Sequence, residues 1–302
     1  MMKHTMNPRS NRDIRSHMAQ ETLSILENGY YTNTKQAQVN IAQEVSNAIT
    51  GSKLYAPSQL VAVKQEAEEK IFLLKGALES SRLTQQTIHE KMEVTGESTL
   101  EAAYRLQVSE KLEHVACLNF ASAKNPGGGF LGGSQEQEES LARSSALYPC
   151  ILQMEEMYQH NRKLRSCFYS DYMIYSPDVP VFRDDQGMQL EKPYLVAFLT
   201  APAVNAGVVR EREPEQVNRI GEVMLERIRY ILSLAAQNGV EHLVLGAYGC
   251  GVFRNKPEEV AVWFKQVLVD EGYGLLFDRI VFAVLDHTAG QRTLNAFKYG
   301  LS

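Results

Sequence analysis

Apolar positions near the start of the chain recur at helical spacing. Ile14, Met18, Leu23, Ile25 and Leu26 predict a helix over 11–29, with Asn11 as its N-cap and Gly29 as its stop. Further helices are predicted over 38–50 and 57–78. The polar stretch from Gly76 to Gln86 then sets a boundary between a helical N-terminal extension, residues 1–80, and the remainder, residues 81–302.

Beyond that boundary, short apolar runs alternate with amphipathic stretches. Strands are predicted over 89–94, 115–121, 172–176, 194–200, 242–247 and 280–285. Between them lie a short helix opened by the capping box Ser98 to Glu101, a helix over 135–148 stopped by Pro149, a long helix over 214–238 and another over 256–271. Near-continuous apolar strands separated by helices imply an α/β sandwich whose mixed or parallel sheet is covered on both faces.

Composition narrows the class further. The chain has 302 residues, 44% hydrophobic and 22% charged, enough to bury a core without disulfides or a structural metal. Its formal net charge is −5 and it has no basic stripe, which argues against a dedicated nucleic-acid binder. The longest uncharged stretch, 193–209, is broken by Pro202, Thr200 and Asn205 and is too polar to cross a bilayer. Four cysteines stand at 117, 150, 167 and 250, none in zinc or disulfide-framework spacing. With a polar start lacking an apolar signal region, they point to reduced thiols and a cytoplasmic location.

The informative chemistry lies in two glycine-rich turns. Each directly follows a buried strand and precedes a helix, the position where α/β sheets collect ligands and where helix amides favour anions. In the first, Gly127, Gly128 and Gly129 strip one side of the backbone of Cβ atoms, so that a ligand can touch the main chain. Asn125 precedes them. Ser134 is the expected N-cap of the next helix, and Gln137, Glu138 and Glu139 open it. On its own this triplet also reads as an ordinary acidic helix start. The second turn runs Gly249, Cys250, Gly251, Val252 and Phe253, where successive amides can converge on a diphosphate. It is neither a Walker A loop nor the dinucleotide fingerprint, and alone it reads equally well as a structural turn. Cys250 has no neighbouring His to activate it as a nucleophile.

Taken together, these residues resemble a known family. Three glycines, seven residues, then Gln137-Glu138-Glu139 match the signature of poly(ADP-ribose) glycohydrolases. The segments LNFASAKNPGGGFLGGSQEQEESLARSSALYPC (118–150), IYSPDVPVFRDD (174–185) and LVLGAYGCGVFRNKP (243–257) resemble its bacterial, microbial-type branch, and NRDIRSHMAQETLSIL (11–26) does so more weakly. The resemblance implies a macrodomain-like three-layer α/β/α sandwich with a mixed sheet, carrying the N-terminal helical extension. It implies an exo-acting glycosidase that removes terminal ADP-ribose from poly(ADP-ribose) on modified proteins, with no cofactor and no metal. Glu139 matches the family's catalytic glutamate, and Glu138 the neighbour that binds ribose hydroxyls. Asn125 falls at a ribose contact, and Gln137 and the three glycines belong to the same substrate-binding turn. Residues 249–253 match the diphosphate loop, with Phe253 as the aromatic beside the scissile ribose. Gly96-Glu97-Ser98-Thr99 resembles an adenine-contacting Gly-Asp-Ile-Thr stretch, with Glu in place of Asp. Two other readings stay open at this point, a non-catalytic ADP-ribose reader and a hydrolase of mono-ADP-ribosyl derivatives.

Overall fold

The computed structural model describes residues 10–78 and 80–302. The start of the chain, read above as lacking a signal region, lies in part outside these residues. Nine strands are present among them: β1 (Tyr30–Thr32), β2 (Gln38–Asn40), β3 (Lys53–Tyr55), β4 (Met92–Thr95), β5 (Val115–Phe120), β6 (Met173–Arg183), β7 (Gln189–Ala201), β8 (His242–Leu245) and β9 (Arg279–Ala283). β1 and β2 form a small antiparallel pair. The other seven make one sheet in the order β3-β6-β7-β5-β8-β9-β4. β3/β6 and β6/β7 are antiparallel, and every pairing from β7 through β5, β8 and β9 to β4 is parallel.

Alternation along the strands builds two cores. Ala116 and Leu118 of β5, Leu243 and Leu245 of β8, and Ile280 and Phe282 of β9 face the helices Pro57–Gly76, Ile220–Gln237 and Pro257–Lys265. The intervening Val115, Cys117, Val244 and Val281 face the other way, toward Ala42–Gly51, Thr99–Tyr104, Gln137–Ser144 and Leu147–Leu152. Both faces are therefore covered, which is what purely apolar parallel strands require.

Several elements differ from expectation for identifiable reasons. The segment before residue 80 is not only helical, nor does it pack as a separate unit. β3 pairs antiparallel with β6 at the sheet edge, and Leu60, Ala67 and Ile71 share a core with β5, β8 and β9. The region read as a helix over 38–50 begins as β2, and the helix starts only at Ala42, whose amide donates to Asn40 Oδ1 at 3.0 Å. The polar boundary stretch continues into a helix, Ser81–Glu90, capped by Ser80. The N-cap of the first helix is Ser10 rather than Asn11, in a capping box with Asp13.

The helix expected over 135–148 is two helices. It breaks at Ser145, which is extended (φ −146°, ψ 177°) and bridges to Val181 of β6. Ser145 Oγ donates back to Leu141 O and accepts from Leu147 N, turning the chain into Leu147–Leu152. Pro149 sits in the first turn of that second helix, where a missing amide hydrogen costs nothing.

Candidate active site

β5 and β8 are hydrogen-bonded neighbours with parallel direction, so the two glycine-rich turns leave the same sheet edge side by side. Their contact is direct. A Cβ placed on Gly251 would lie 2.8 Å from Glu136 Oε2. The first turn and the helix behind it thus lie against the second turn. Glu136, which sequence reasoning assigned no role, stands between them; burial, then the charge of Glu139, raises its carboxyl above the usual range.

Helix Gln137–Ser144 starts from Glu136, whose side chain makes no capping bond. Ser134 is not the cap. Its hydroxyl lies against Gly129, in the place a Cβ there would take. Gln137 does not face the groove either. Its Oε1 accepts from Phe120 N at 2.8 Å, and its Nε2 donates to Leu118 O at 2.7 Å and Thr99 Oγ1 at 3.1 Å. These bonds tie the helix to the end of β5.

Glu138 and Glu139 are both buried, at 2% and 8% exposure, although they open a helix. Glu138 accepts from Ser122 N at 2.7 Å, Gly127 N at 3.3 Å and Asn119 Nδ2 at 3.4 Å. Burial nonetheless dominates and pushes its carboxyl up to about 8. Glu139 Oε1 accepts from Gly129 N at 2.8 Å. Between these two amides sits Gly128, at φ +57°. A Cβ there would overlap Glu139 Oε1 and approach Glu138 Oε2 to 3.3 Å. Both carboxylates therefore converge on one bare glycine, as the three-glycine run requires.

Asn125 is exposed at the mouth of this turn, its carbonyl accepting from Gly128 N at 2.9 Å. In the second turn Gly249 is at φ +72°. Its carbonyl accepts from the backbone and side-chain nitrogens of buried Asn255, each at 3.0 Å. Asn255 Nδ2 also reaches Val204 O at 2.8 Å, fixing the turn to the loop after β7. Val252 is exposed. Burial pushes the Cys250 thiol up to about 12, which suits a space-filling residue rather than a nucleophile. The Phe253 ring lies 5.9 Å from that of Tyr169, over which Lys124 Nζ stands at 5.9 Å. Arg254 pairs with Glu211 on the surface. Glu97 is held by Arg105 through bonds of 2.7 and 2.8 Å, and this guanidinium keeps its carboxyl below the usual range.

Sequence reasoning did not find Asn119, Ser122 or Tyr169. Asn119 carried a signal, since it is the one polar residue in the apolar run of β5. Ser122 acts through its backbone amide and Tyr169 through a long-range approach, and neither leaves a local mark. Among the described residues, no group of three or more His, Cys, Asp or Glu side chains is placed to hold a metal ion. Among the same residues, no helix is long and apolar enough to cross a membrane.

The same fold occurs in solved structures. Poly(ADP-ribose) glycohydrolase from Thermomonospora curvata is 42% identical with a TM-score of 0.83, over 96% of this chain and 100% of that one. The Thermomonospora enzyme bound to the inhibitor ADP-HPD gives the same identity and score over 95% and 99%. The Deinococcus radiodurans enzyme in complex with ADP-ribose is 44% identical with a TM-score of 0.76, over 85% and 97%. A search of curated proteins gave no match. The family model described as microbial-type PARG, catalytic domain, matches residues 19–184, more than half of the chain, and the chain belongs to that family of poly(ADP-ribose) glycohydrolases.

Proposed function

We propose that this protein hydrolyses poly(ADP-ribose) from its free end, releasing ADP-ribose by cleaving ribose–ribose O-glycosidic bonds, with Glu139 as the acid and base. One observation carries the reading. The Glu139 carboxylate is buried and oriented by Gly129 N, while Gly251 of the opposite turn lies against Glu136, the residue from which the helix bearing Glu139 starts. Solved relatives bound to ADP-ribose and to ADP-HPD support the ligand class.

The geometry selects among glycosidase mechanisms. Enzymes with two catalytic carboxylates place them on opposite sides of the scissile bond, about 5 Å or more apart. Here both carboxylates meet the same glycine and lie on one side of any ligand. A single glutamate then serves twice. Glu139 donates its proton to the leaving ribose oxygen as the C1″–O bond breaks, leaving an oxocarbenium-like ribose. The resulting carboxylate takes a proton from the water that attacks C1″, which restores the acid. Glu138, whose carboxyl is pushed up to about 8 by burial, holds ribose hydroxyls, with Asn125 at the mouth of the turn. Residues 249–253 cradle the diphosphate with backbone amides, and Phe253 positions the ribose. In this reading residues 81–302 carry the chemistry and the extension up to residue 80 braces it. The location is cytoplasmic.

The test is incubation with auto-modified poly(ADP-ribose) polymerase, following free ADP-ribose. Steady release of monomer without internal fragments supports the exo-hydrolase. ADP-ribose binding without release makes the protein a reader. Release from singly modified targets alone makes it a mono-ADP-ribosyl hydrolase.

A further inference from the structure

Four consecutive carbonyls of the first glycine turn, Leu131 to Ser134, each accept a hydrogen bond from a side chain. Ser16 Oγ donates to Leu131 O at 2.7 Å, Arg12 Nε to Gly132 O at 2.8 Å, and Arg15 Nε to Gly133 O at 2.8 Å. Arg143 Nη1, from the helix that bears Glu139, donates to Ser134 O. Three of the four donors come from one end of the N-terminal helix, Asn11–Asn28, more than a hundred residues away in sequence. A run rich in glycine has few side chains of its own to hold it, and its backbone entropy is high. Here the restraint is imported.

The restraint leads to the carboxylate by a short path. Gly132 N and Ser134 N both donate to Gly129 O, at 3.0 and 3.2 Å, and Gly129 N donates to Glu139 Oε1 at 2.8 Å. Fixing Gly132 fixes the peptide that follows Gly129, and through the Gly129 backbone it restrains the amide that aims the carboxylate. The same helix also holds the helix that bears Glu139, where Thr22 Oγ1 donates to Arg143 O at 2.6 Å.

We propose that Arg12, Arg15 and Ser16 are positioning residues, and that the N-terminal helix is a clamp that sets the aim of Glu139 through Gly132 and Gly129. This rests on the reading of Glu139 as proton donor. The clamp is separable from the fold. The buried residues of the helix are Ala19, Thr22 and Ile25, all beyond its first two turns, so trimming Arg12, Arg15 and Ser16 leaves its docking intact.

The experiment compares Arg12→Ala, Arg15→Ala, Ser16→Ala and their triple combination with Arg15→Lys, in the full chain. Two readouts are taken: amide hydrogen exchange over residues 127–136, and kcat with the Kd for ADP-ribose. The clamp predicts faster exchange and a kcat lowered by roughly 10- to 100-fold in the triple variant, because a displacement of about 1 Å is enough for that loss. It predicts a nearly unchanged Kd, since the diphosphate turn is untouched, and partial recovery in Arg15→Lys. Unchanged exchange overturns the clamp, and faster exchange with wild-type kcat overturns its role in aiming Glu139. Arg12 is exposed, so its single variant gives the same readouts if the triple variant does not fold. If the wild-type protein releases no ADP-ribose, the functional reading fails, while the exchange data still decide the clamp.

Discussion

Glu139 and Gly129, ten residues apart, are joined by a 2.8 Å hydrogen bond from the glycine amide to the carboxylate. The bond orients the carboxylate before any ligand arrives, and it occupies Oε1. Under the proposed function, Oε2 is then the atom that exchanges a proton with substrate and water. Substrate geometry can thus be coupled to a preset acid instead of a mobile side chain.

Glu139→Gln is the cleanest test of that role. The amide oxygen of Gln can still accept from Gly129 N, so the turn keeps its shape, but the side chain no longer transfers a proton. Turnover of poly(ADP-ribose) is expected to fall by roughly 10²- to 10⁴-fold, the usual contribution of a positioned acid or base. The Kd for ADP-ribose should change little, and Glu139→Ala should behave likewise. Single-turnover assays beside calorimetric titration check this, and retained turnover removes Glu139 from the chemistry.

Gly128→Ala should damage catalysis through space alone. The residue sits at φ +57°, where a Cβ is strained, and the added methyl would occupy the position of Glu139 Oε1. The carboxylate must swing off the Gly129 amide. The expected result is a kcat reduced by about 10²-fold or more with a folded protein, since displacement of a catalytic group is costly even when modest. A variant with wild-type kcat and an unchanged melting temperature would contradict the observed convergence on this glycine.

Gly251→Val probes the opposite wall. A side chain there meets Glu136 Oε2 at 2.8 Å and narrows the groove where the diphosphate is expected. Gly251 is exposed, so stability should hold within about 0.5 kcal/mol, as for most surface substitutions. ADP-ribose affinity should fall at least tenfold, measurable by titration calorimetry. Unchanged affinity would place the diphosphate elsewhere.

The division between what the chain reveals locally and what it conceals follows from contact range. The strand β5 and both glycine turns were legible, because apolar runs followed closely by glycine-rich stretches have few folded solutions in an α/β protein. Glu138 and Glu139 were legible only through the family spacing, since two glutamates at a helix start look solvated until burial is known. The break at Ser145 was hidden because it depends on a bridge to Val181 in a distant strand. The bonds of Gln137 were hidden for the same reason, since its partners Leu118 and Phe120 lie on β5, well before it in the chain. The roles of Arg12, Arg15 and Ser16 lie wholly in long-range contacts, and nothing near them in sequence points to the turn they hold.

Glu138 should leave a mark on stability as a function of pH. Burial pushes its carboxyl from near 4.5 to about 8, against the lowering effect of the amides of Ser122 and Gly127 and the side chain of Asn119. Below pH 4.5 the folded and unfolded chains both carry the proton, and this group is neutral with respect to stability. Between about 4.5 and 8 the unfolded chain releases the proton while the folded chain keeps it, so stability falls as pH rises. Above about 8 both are ionised and the full penalty of a buried carboxylate applies. The slope through the window is about 1.4 kcal/mol per pH unit at most. Glu138→Gln keeps an acceptor oxygen for Ser122 N and removes the titration. Denaturation of both proteins at pH 5, 6.5 and 8 isolates the group together with its charge coupling to Glu139, because titrating residues that do not interact with Glu138 cancel in the difference. The stability of the wild-type protein relative to the variant should decline steadily across that range. Parallel curves would mean that Glu138 is already ionised at pH 5, and that its three donors outweigh its burial.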